Sequence, residues 1–275
     1  TFITIKTMDI EKVRSRFIKH FDGKTGNVYM SPGRINLIGE HTDYNGGFVF
    51  PGAVDKGIMA EIRPNDTNSI QLYSIDLKDR VEFDIDDPEG PKASWARYVY
   101  GVAKEMKALG VDVKGFNAAF YGDVPLGAGM SSSAALESCF AFAINDLFGD
   151  NKVAKWDLVL AGQATEHKYI GVNCGIMDQF ASVFGQEGKL MRLDCRSREF
   201  AYFPFNPEGY KLVVSSVVQK QRVKLIAPDG TISDVYQQQD LSRSNLIAIP
   251  EGHVTLAFHN VGDVSFVYRE EYITV

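Results

Sequence analysis

The segment from residue 33 to residue 47 limits the possible folds of this chain most, because it concentrates charged groups between short apolar runs. It reads Gly-Arg-Ile-Asn-Leu-Ile-Gly-Glu-His-Thr-Asp-Tyr-Asn-Gly-Gly. Arg34, Glu40, His41 and Asp43 can donate or accept hydrogen bonds, and the Asn-Gly-Gly sequence after them predicts a turn. Such a group favours either a polar pocket for a hydroxyl-rich ligand or an Arg–carboxylate network on the surface. The residue types alone leave both interpretations open.

Composition excludes several classes of function. The chain has 275 residues, 45% hydrophobic content and a formal net charge of −6, which does not favour binding to nucleic acid. Its three cysteines are odd in number and widely spaced, so we expect neither a disulfide framework nor a paired metal site. That usage is typical of a reducing compartment, and the expected location is the cytoplasm. No apolar run approaches the length that crosses a membrane.

Hydrophobic periodicity predicts helices and strands over the first three quarters of the chain. The predicted helices cover residues 9–21, 95–109, 131–148 and 155–169, the first with Asp9 as its N-cap. The predicted strands cover residues 27–31, 48–54, 58–63, 70–74, 81–85 and 116–121.

Helical periodicity ends near Val214. Beyond it, short alternating runs separated by turn signals predict strands at residues 223–227, 231–236, 246–249, 254–259 and 264–268. The sequence therefore predicts two domains, an α+β domain over residues 1–214 and an antiparallel β module over residues 215–275.

A second segment, from Val124 to Glu137, reads Val-Pro-Leu-Gly-Ala-Gly-Met-Ser-Ser-Ser-Ala-Ala-Leu-Glu. Gly127 and Gly129 allow the backbone to approach a ligand closely, and the helix that follows offers unpaired N–H groups at its N-terminus. Ser131–Ser133 add hydroxyl groups for phosphate oxygens or a metal ion. The segment matches neither the Walker pattern nor the dinucleotide fingerprint. Simple helix capping, supported by Glu137, explains the serines equally well.

A third segment, residues 163–181, carries two carboxylates. Glu166 lies in a predicted helix, and Asp178 follows a Cys-Gly turn. A chain reversal between Gly171 and Gly175 would bring both side chains into one pocket, where they suit one metal ligand and one general base. The alternative is two exposed carboxylates on helix surfaces, which is the commoner arrangement in general.

Together and in this order, the three segments resemble the motifs of galactokinases, members of the GHMP family of small-molecule kinases. Cys-Gly-Ile-Met-Asp-Gln, at residues 174–179, resembles a galactokinase hallmark. The resemblance extends over residues 1 to about 214 and implies the α+β fold of a GHMP-kinase N-terminal domain, a mixed sheet with helices on one side. It implies ATP-dependent phosphorylation of D-galactose at C1, with ATP and Mg²⁺ as cofactors.

The resemblance also implies a role for each motif residue. Arg34 would lie beside the reacting oxygen, Asp178 would accept the hydroxyl proton, and Ser133 and Glu166 would hold Mg²⁺. The implied sugar contacts are Glu40, His41, Asp43 and Gly175. The implied nucleotide contacts are Pro125, Gly127, Gly129, Ser131 and Ser132, with Trp95 near the adenine. Core packing of its helix is the alternative for Trp95.

Residues 215–275 do not resemble the family. The third, glycine-rich motif of its second domain is not recognisable there, so we expect weakened phosphorylation. A fused or substituted β module is favoured, and an engineered chimera or a divergent second domain are alternatives. The competing hypothesis is a non-catalytic protein that binds sugar or nucleotide, or that self-associates or binds a partner through the β tail. A third hypothesis is another GHMP substrate.

Overall fold

The computed structural model describes residues 9–39, 41–124 and 129–205, and the backbone of four short strands beyond residue 205. These residues belong to two compact units. The first extends to Phe205 without residues 127–129, and the second contains residues 127–129 and the chain from Asn206 onward.

The described residues of the first unit form five α-helices and eight strands. The helices are α1 (Ile10–His20), α2 (Ser94–Ala108), α3 (Ser132–Gly149), α4 (Lys155–Thr165) and α5 (Met177–Phe184). The strands are β1 (Asn27–Asn36), β2 (Phe48–Val49), β3 (Pro51–Pro64), β4 (Ser69–Ser74), β5 (Asp79–Asp84), β6 (Phe116–Gly122), β7 (Lys189–Asp194) and β8 (Phe200–Pro204).

Five strands form one mixed sheet in the order β1-β3-β6-β4-β5. Neighbouring strands are antiparallel except β4 and β6, which run parallel and are connected through β5 and α2. Such a parallel pair needs a crossover connection, and α2 supplies it. The strands β2, β7 and β8 form a second, smaller antiparallel sheet.

A hydrophobic core packs against each face of the large sheet. Successive side chains of a strand point to opposite faces, and in β3 Ala60 and Ile62 belong to the main core while Met59 belongs to a smaller one. Helices α2 to α5 contribute to the main core, whereas Val13 and Phe17 of α1 pack into the smaller core. The expected mixed sheet is confirmed, with four helices on one face and α1 on the other.

The predicted helices agree with the structure to within one to four residues at their ends. The Asp9 side chain accepts a hydrogen bond from the Lys12 N–H at 3.1 Å, so it caps α1 as expected. The helix predicted over residues 155–169 ends at Thr165 and continues as one π-helical turn, Glu166–Ile170.

The strands predicted at residues 48–54 and 58–63 differ from the observed ones. Strand β3 runs without a break from Pro51 to Pro64, and β2 is a separate strand of two residues. Gly57, which lies between the two predicted strands, is inside β3. It lies opposite Pro32 of β1, and a Cβ at this position would clash with the Ser31 carbonyl. A glycine inside a strand here marks a close approach of two backbones.

The second unit shows two antiparallel pairs of three-residue strands. They are β9 (Lys224–Ile226) with β10 (Ile232–Asp234), and β11 (Val254–Leu256) with β12 (Val264–Phe266). Four of the predicted tail strands each contain one of these strands. The fifth, at residues 246–249, lies outside the described residues, and the domain boundary at residue 214 stays a prediction.

Among the described residues, no helix is both long enough and apolar enough to span a bilayer.

Candidate active site

A charge pair joins the end of β1 to the start of α5. Arg34 donates from Nε to Asp178 Oδ1 at 2.7 Å, and its Nη2 lies 2.7 Å from the same oxygen. The Arg34 side chain is 11% exposed and that of Asp178 is 30% exposed. A charge-assisted pair at this depth fixes the orientation of both groups while leaving the carboxylate accessible.

Loop residues next to α3 reach the same carboxylate. The Ser131 hydroxyl donates to Asp178 Oδ2, so each carboxylate oxygen has a donor from the protein. Ser131 has a left-handed backbone, with φ 56° and ψ 57°. This conformation is unfavourable for a residue other than glycine, and such residues cluster at functional sites. The backbone of β1 comes close as well, since the Arg34 N–H donates to the Met130 carbonyl at 3.1 Å.

A second carboxyl group lies beside this pair. Glu166 is only 6% exposed, on the π-helical turn that follows α4. Burial raises the pKa of Glu166, a hydrogen bond from Ser133 opposes that shift, and the charge of Asp178 raises the pKa further. The two residues expected to bind Mg²⁺ are therefore in contact with each other and close to Asp178.

A third carboxyl group was not assigned to the site from the sequence. Glu137, read there as support for a helix cap, lies in α3 one turn after Ser133 and is 1% exposed. Burial, and then the charge of Glu166, raise its pKa well above the ordinary value, while a hydrogen bond from Gln179 opposes the shift. Its position in a run of Ala, Leu, Cys and Phe was the available signal, because charged residues are seldom fully buried without a partner.

Asp43 forms a wall of the site near Gly175. It begins the 3₁₀ turn Asp43–Asn45, and its carboxylate occupies the space that a Cβ at Gly175 would need. Backbone N–H groups of Tyr44 and Met177 donate to Asp43. Burial is the main cause that raises the pKa of Asp43, and the charge of Asp178 adds to it. Two of the four predicted sugar contacts are thus adjacent, within electrostatic range of Asp178.

Asp43 opens onto a cleft of about 430 Å³. The residues that line it are mostly polar: Asp43, Tyr44, Gly46, Gln163, His167, Asn173, Cys174, Ile176, Cys195 and Arg198. His41 is exposed, and its Nδ1 lies 2.8 Å from the hydroxyl of the cleft residue Tyr44. Glu40 lies outside the described residues.

The remaining predicted residues are those assigned to the nucleotide. Trp95 donates from Nε1 to Asp79 at 2.9 Å and packs on Phe120. These contacts are the ones expected if Trp95 packs its helix against the core. Ser132 is the first residue of α3, and Gly129 has a left-handed backbone with φ 67°. Pro125 and Gly127 lie outside the described residues. The nucleotide role of these five residues stays a prediction.

Two family models match the chain. The galactokinase galactose-binding signature matches residues 15–64, which contain Arg34 and Asp43. The GHMP kinases N terminal domain matches residues 97–186, which contain Ser131, Glu166 and Asp178.

The similar curated proteins are galactokinases. That of Clostridium tetani is 36% identical over 217 residues, which is 78% of this chain and 55% of the relative. That of Lactococcus lactis subsp. cremoris is 42% identical over 197 residues, 70% of this chain and 49% of the relative. The chain thus spans about half the length of the curated relatives it matches.

Solved structures show the same relationship. Lactococcus lactis galactokinase complexed with galactose superposes with a TM-score of 0.68 and 39% identity, covering 72% of this chain and 52% of that one. Methanococcus jannaschii mevalonate kinase superposes with a TM-score of 0.54 at 18% identity, which is evidence for the fold alone. The matched part of the chain is therefore a galactokinase-type N-terminal domain of the GHMP kinase family.

Proposed function

We propose that this chain binds galactose and MgATP and transfers the γ-phosphoryl group to the C1 hydroxyl of the sugar. The observation that carries the proposal is the Asp178 carboxylate, held by Arg34 and Ser131 next to the start of α3 and within electrostatic range of Asp43, which lines the polar cleft. The galactokinase relatives, one of them solved with galactose, support the choice of sugar.

Asp178 is the group that would take the proton of the sugar hydroxyl. Arg34 and Ser131 each donate to one of its oxygens, so the carboxylate is already oriented before a substrate arrives. A general base must lie within hydrogen-bond reach of the proton it accepts, and fixed donors keep it there. The Arg34 guanidinium would also stabilise negative charge on the transferring phosphoryl group, which is the main kind of catalysis in this chemistry.

The start of α3 would bind the phosphate groups of ATP. A helix N-terminus presents unpaired N–H groups and a positive dipole end, and α3 is 18 residues long. Gly33 contributes to this region, since a Cβ there would lie 2.6 Å from the Met130 carbonyl just before α3.

The residues present fit a magnesium ion. The Ser133 hydroxyl and the Glu166 carboxyl group offer hard oxygen ligands in contact with each other, and Mg²⁺ commonly uses one or two protein oxygens together with substrate phosphates. Glu166 is buried with a raised pKa, so a cation beside it would favour its ionised form. When bound, Mg²⁺ would neutralise charge on the phosphate oxygens.

Asp43 and Gly175 would bind the sugar. A half-buried carboxylate whose pKa is raised by burial gains from hydroxyl donors, and a sugar supplies several. Gly175 leaves room for the Asp43 side chain at this wall. Glu40 and His41 are assigned to sugar hydroxyls by the resemblance alone.

The test is release of ADP from MgATP in the presence of galactose. Asp178→Asn is the matched control, because it keeps the shape of the side chain and removes the base. Turnover by the native chain well above that variant supports the proposal, and turnover no greater than that variant contradicts it. Calorimetric titration then separates a binding protein, which retains galactose or nucleotide affinity, from a structural one. A panel of monosaccharides, mevalonate and homoserine identifies another substrate.

A further inference from the structure

A buried hydrogen bond links the two helices that carry the reacting groups. Gln179, next to Asp178 in α5, donates from Nε2 to Glu137 Oε2 in α3 at 3.0 Å. Both residues are 1% exposed, and α3 packs directly against α5. Glu137 lies one helical turn after Ser133 in α3, and Gln179 follows Asp178 directly in α5. The buried pair therefore lies next to the first turn of each helix.

The surroundings of the pair shield it from water. Gly162 of α4 faces it, and a Cβ at that position would lie 2.8 Å from Gln179 Cγ and 3.2 Å from Glu137 Oε2. The close approach of α4 therefore depends on a glycine. Burying a carboxyl and an amide is unfavourable unless their hydrogen bonds are made, so the pair has a cost that an apolar contact would avoid.

The pair retains unused hydrogen-bonding capacity. Among the described residues, Glu137 Oε1 and Gln179 Oε1 are buried and have no hydrogen-bond partner. Burial and the Glu166 charge favour the neutral acid form of Glu137, which has nearly the same shape as glutamine. Such a pair adds little net stability, and in some proteins buried polar pairs fix the geometry of an interface instead.

We propose that Glu137 and Gln179 are positioning residues whose buried hydrogen bond sets the register of α3 against α5, and with it the position of Ser131 and Ser133 relative to Asp178. The consequence for catalysis rests on the proposed kinase function, whereas the effect on the two helix starts does not. Ser131 already donates to Asp178 at the outer end of the same interface, so a shift of either helix would break that contact.

The test compares four variants of the full chain. Glu137→Leu and Gln179→Met remove the hydrogen bond while keeping side-chain volume, and Glu137→Gln keeps the shape of the neutral acid. Ile144→Ala, buried near the other end of α3, is the control for lost stability alone. Steady-state kinetics gives kcat and the KM of galactose, and amide hydrogen exchange reports on the first turns of α3 and α5.

We expect Glu137→Leu and Gln179→Met to lower kcat by about 10²-fold, as misplacement of reacting groups does, with a much smaller change in the KM of galactose. Exchange in both first turns should become at least about tenfold faster, because their opening is no longer restrained. Glu137→Gln should retain kcat within about threefold, and Ile144→Ala should reproduce neither effect.

Two results would overturn the inference. One is unchanged exchange at the two helix starts in Glu137→Leu and Gln179→Met, and the other is Ile144→Ala matching their loss of kcat. If the native chain has no turnover, the proposed function fails and the exchange comparison alone decides the role of the pair. If Glu137→Leu does not fold, Gln179→Met alone is compared with the native chain and with Ile144→Ala.

Discussion

The orientation of one carboxylate depends on two donors that are far apart in the sequence. Arg34 holds Oδ1 of Asp178, and Ser131 holds Oδ2. Arg34 occupies Oδ1 with both Nε and Nη2, whereas Ser131 gives Oδ2 one donor, and a carboxylate oxygen can accept two hydrogen bonds. Asp178 can therefore be rigid and still accept a hydroxyl group from a substrate.

Replacing Ser131 with alanine tests that orientation. The variant removes one hydrogen bond to a charged group, which is worth about 1.5–3 kcal/mol, so we expect kcat to fall by roughly 10- to 10²-fold. The KM of galactose should change little, because the Asp43 wall is untouched. Ser138→Ala is the control, since it removes a buried hydroxyl from α3, about two helical turns after Ser131. Steady-state kinetics of both variants decides, and equal values of kcat would contradict the assignment.

Glu166 gives a prediction about stability against pH. Its pKa is raised in the folded chain, chiefly by burial, so the folded state binds more protons than the unfolded state above pH 4.5. Stability contributed by Glu166 is complete below that pH and is lost as pH rises through the folded pKa. We expect Glu166→Gln to raise the thermal midpoint at pH 7 by about 2–4 °C for each kcal/mol by which it raises the free energy of unfolding. The same variant should abolish turnover.

The gain in Glu166→Gln should shrink as the pH falls toward 4.5, which calorimetric scans at several pH values would show. Glu187→Gln, a substitution of an exposed carboxylate before β7, is the control. A thermal midpoint that is lower than native at pH 7 would mean that the Ser133 hydrogen bond outweighs the cost of burial.

At the scale of elements, short segments bring the wall of the cleft together. The 3₁₀ turn with Asp43 and the chain before α5 with Gly175 are in contact, and neither is long enough to be stable alone. Their geometry therefore depends on the sheet and helices on which they lie.

Gly175→Ala should separate these two elements. A Cβ would overlap the Asp43 carboxylate, so we expect the KM of galactose to rise at least about tenfold while the KM of ATP changes less. A double-mutant cycle with Asp43→Ser checks the cause, because a smaller side chain at residue 43 makes room for the new methyl group. Additive effects of the two substitutions would show that the contact is not responsible.

Helix α1 should be separable from the activity. Its capping residue Asp9 accepts a hydrogen bond from Lys12 N–H, and the helix packs into the smaller core. We expect Asp9→Ala to lower the free energy of unfolding by about 1 kcal/mol and to leave kcat unchanged. Urea denaturation and the ADP assay measure the two quantities. A loss of kcat comparable to that of Ser131→Ala would mean that the smaller core controls the site.

For the whole molecule, local motifs were enough to name candidate residues, whose roles stay predictions, but not to predict their buried contacts. Arg34, Asp178, Ser133 and Glu166 could be named because their motifs are local. Glu137 was missed because its partner, Gln179, is 42 residues away and burial is not visible in a motif. Helix α5 was not predicted either, since eight residues are too few for a clear helical period.

The sequence also predicts how active the whole chain is as a kinase. The relatives match it over about half of their length, so the rest of such a kinase has no counterpart among the matched residues. Residues 215–275 do not resemble the family, and preorganised groups are worth several kcal/mol in the barrier, so we expect kcat of this chain to be at least about 10²-fold below that of Lactococcus lactis galactokinase. Assaying both proteins side by side measures this, and equal values of kcat would contradict it. A cytoplasmic location stays a prediction.

The pairing of Arg34 with Asp178 also has a consequence for synthesis of the chain. The two residues are separated by 144 positions, so translation requires roughly 7–30 s to pass from one to the other. During that interval the guanidinium at the end of β1 has no carboxylate from α5 to pair with. Such distant contacts form late, because closing a long loop costs entropy before the contact is made. We therefore expect the nascent chain to complete the sheet edge before the charge pair, and the reacting centre to be among the last parts to assemble.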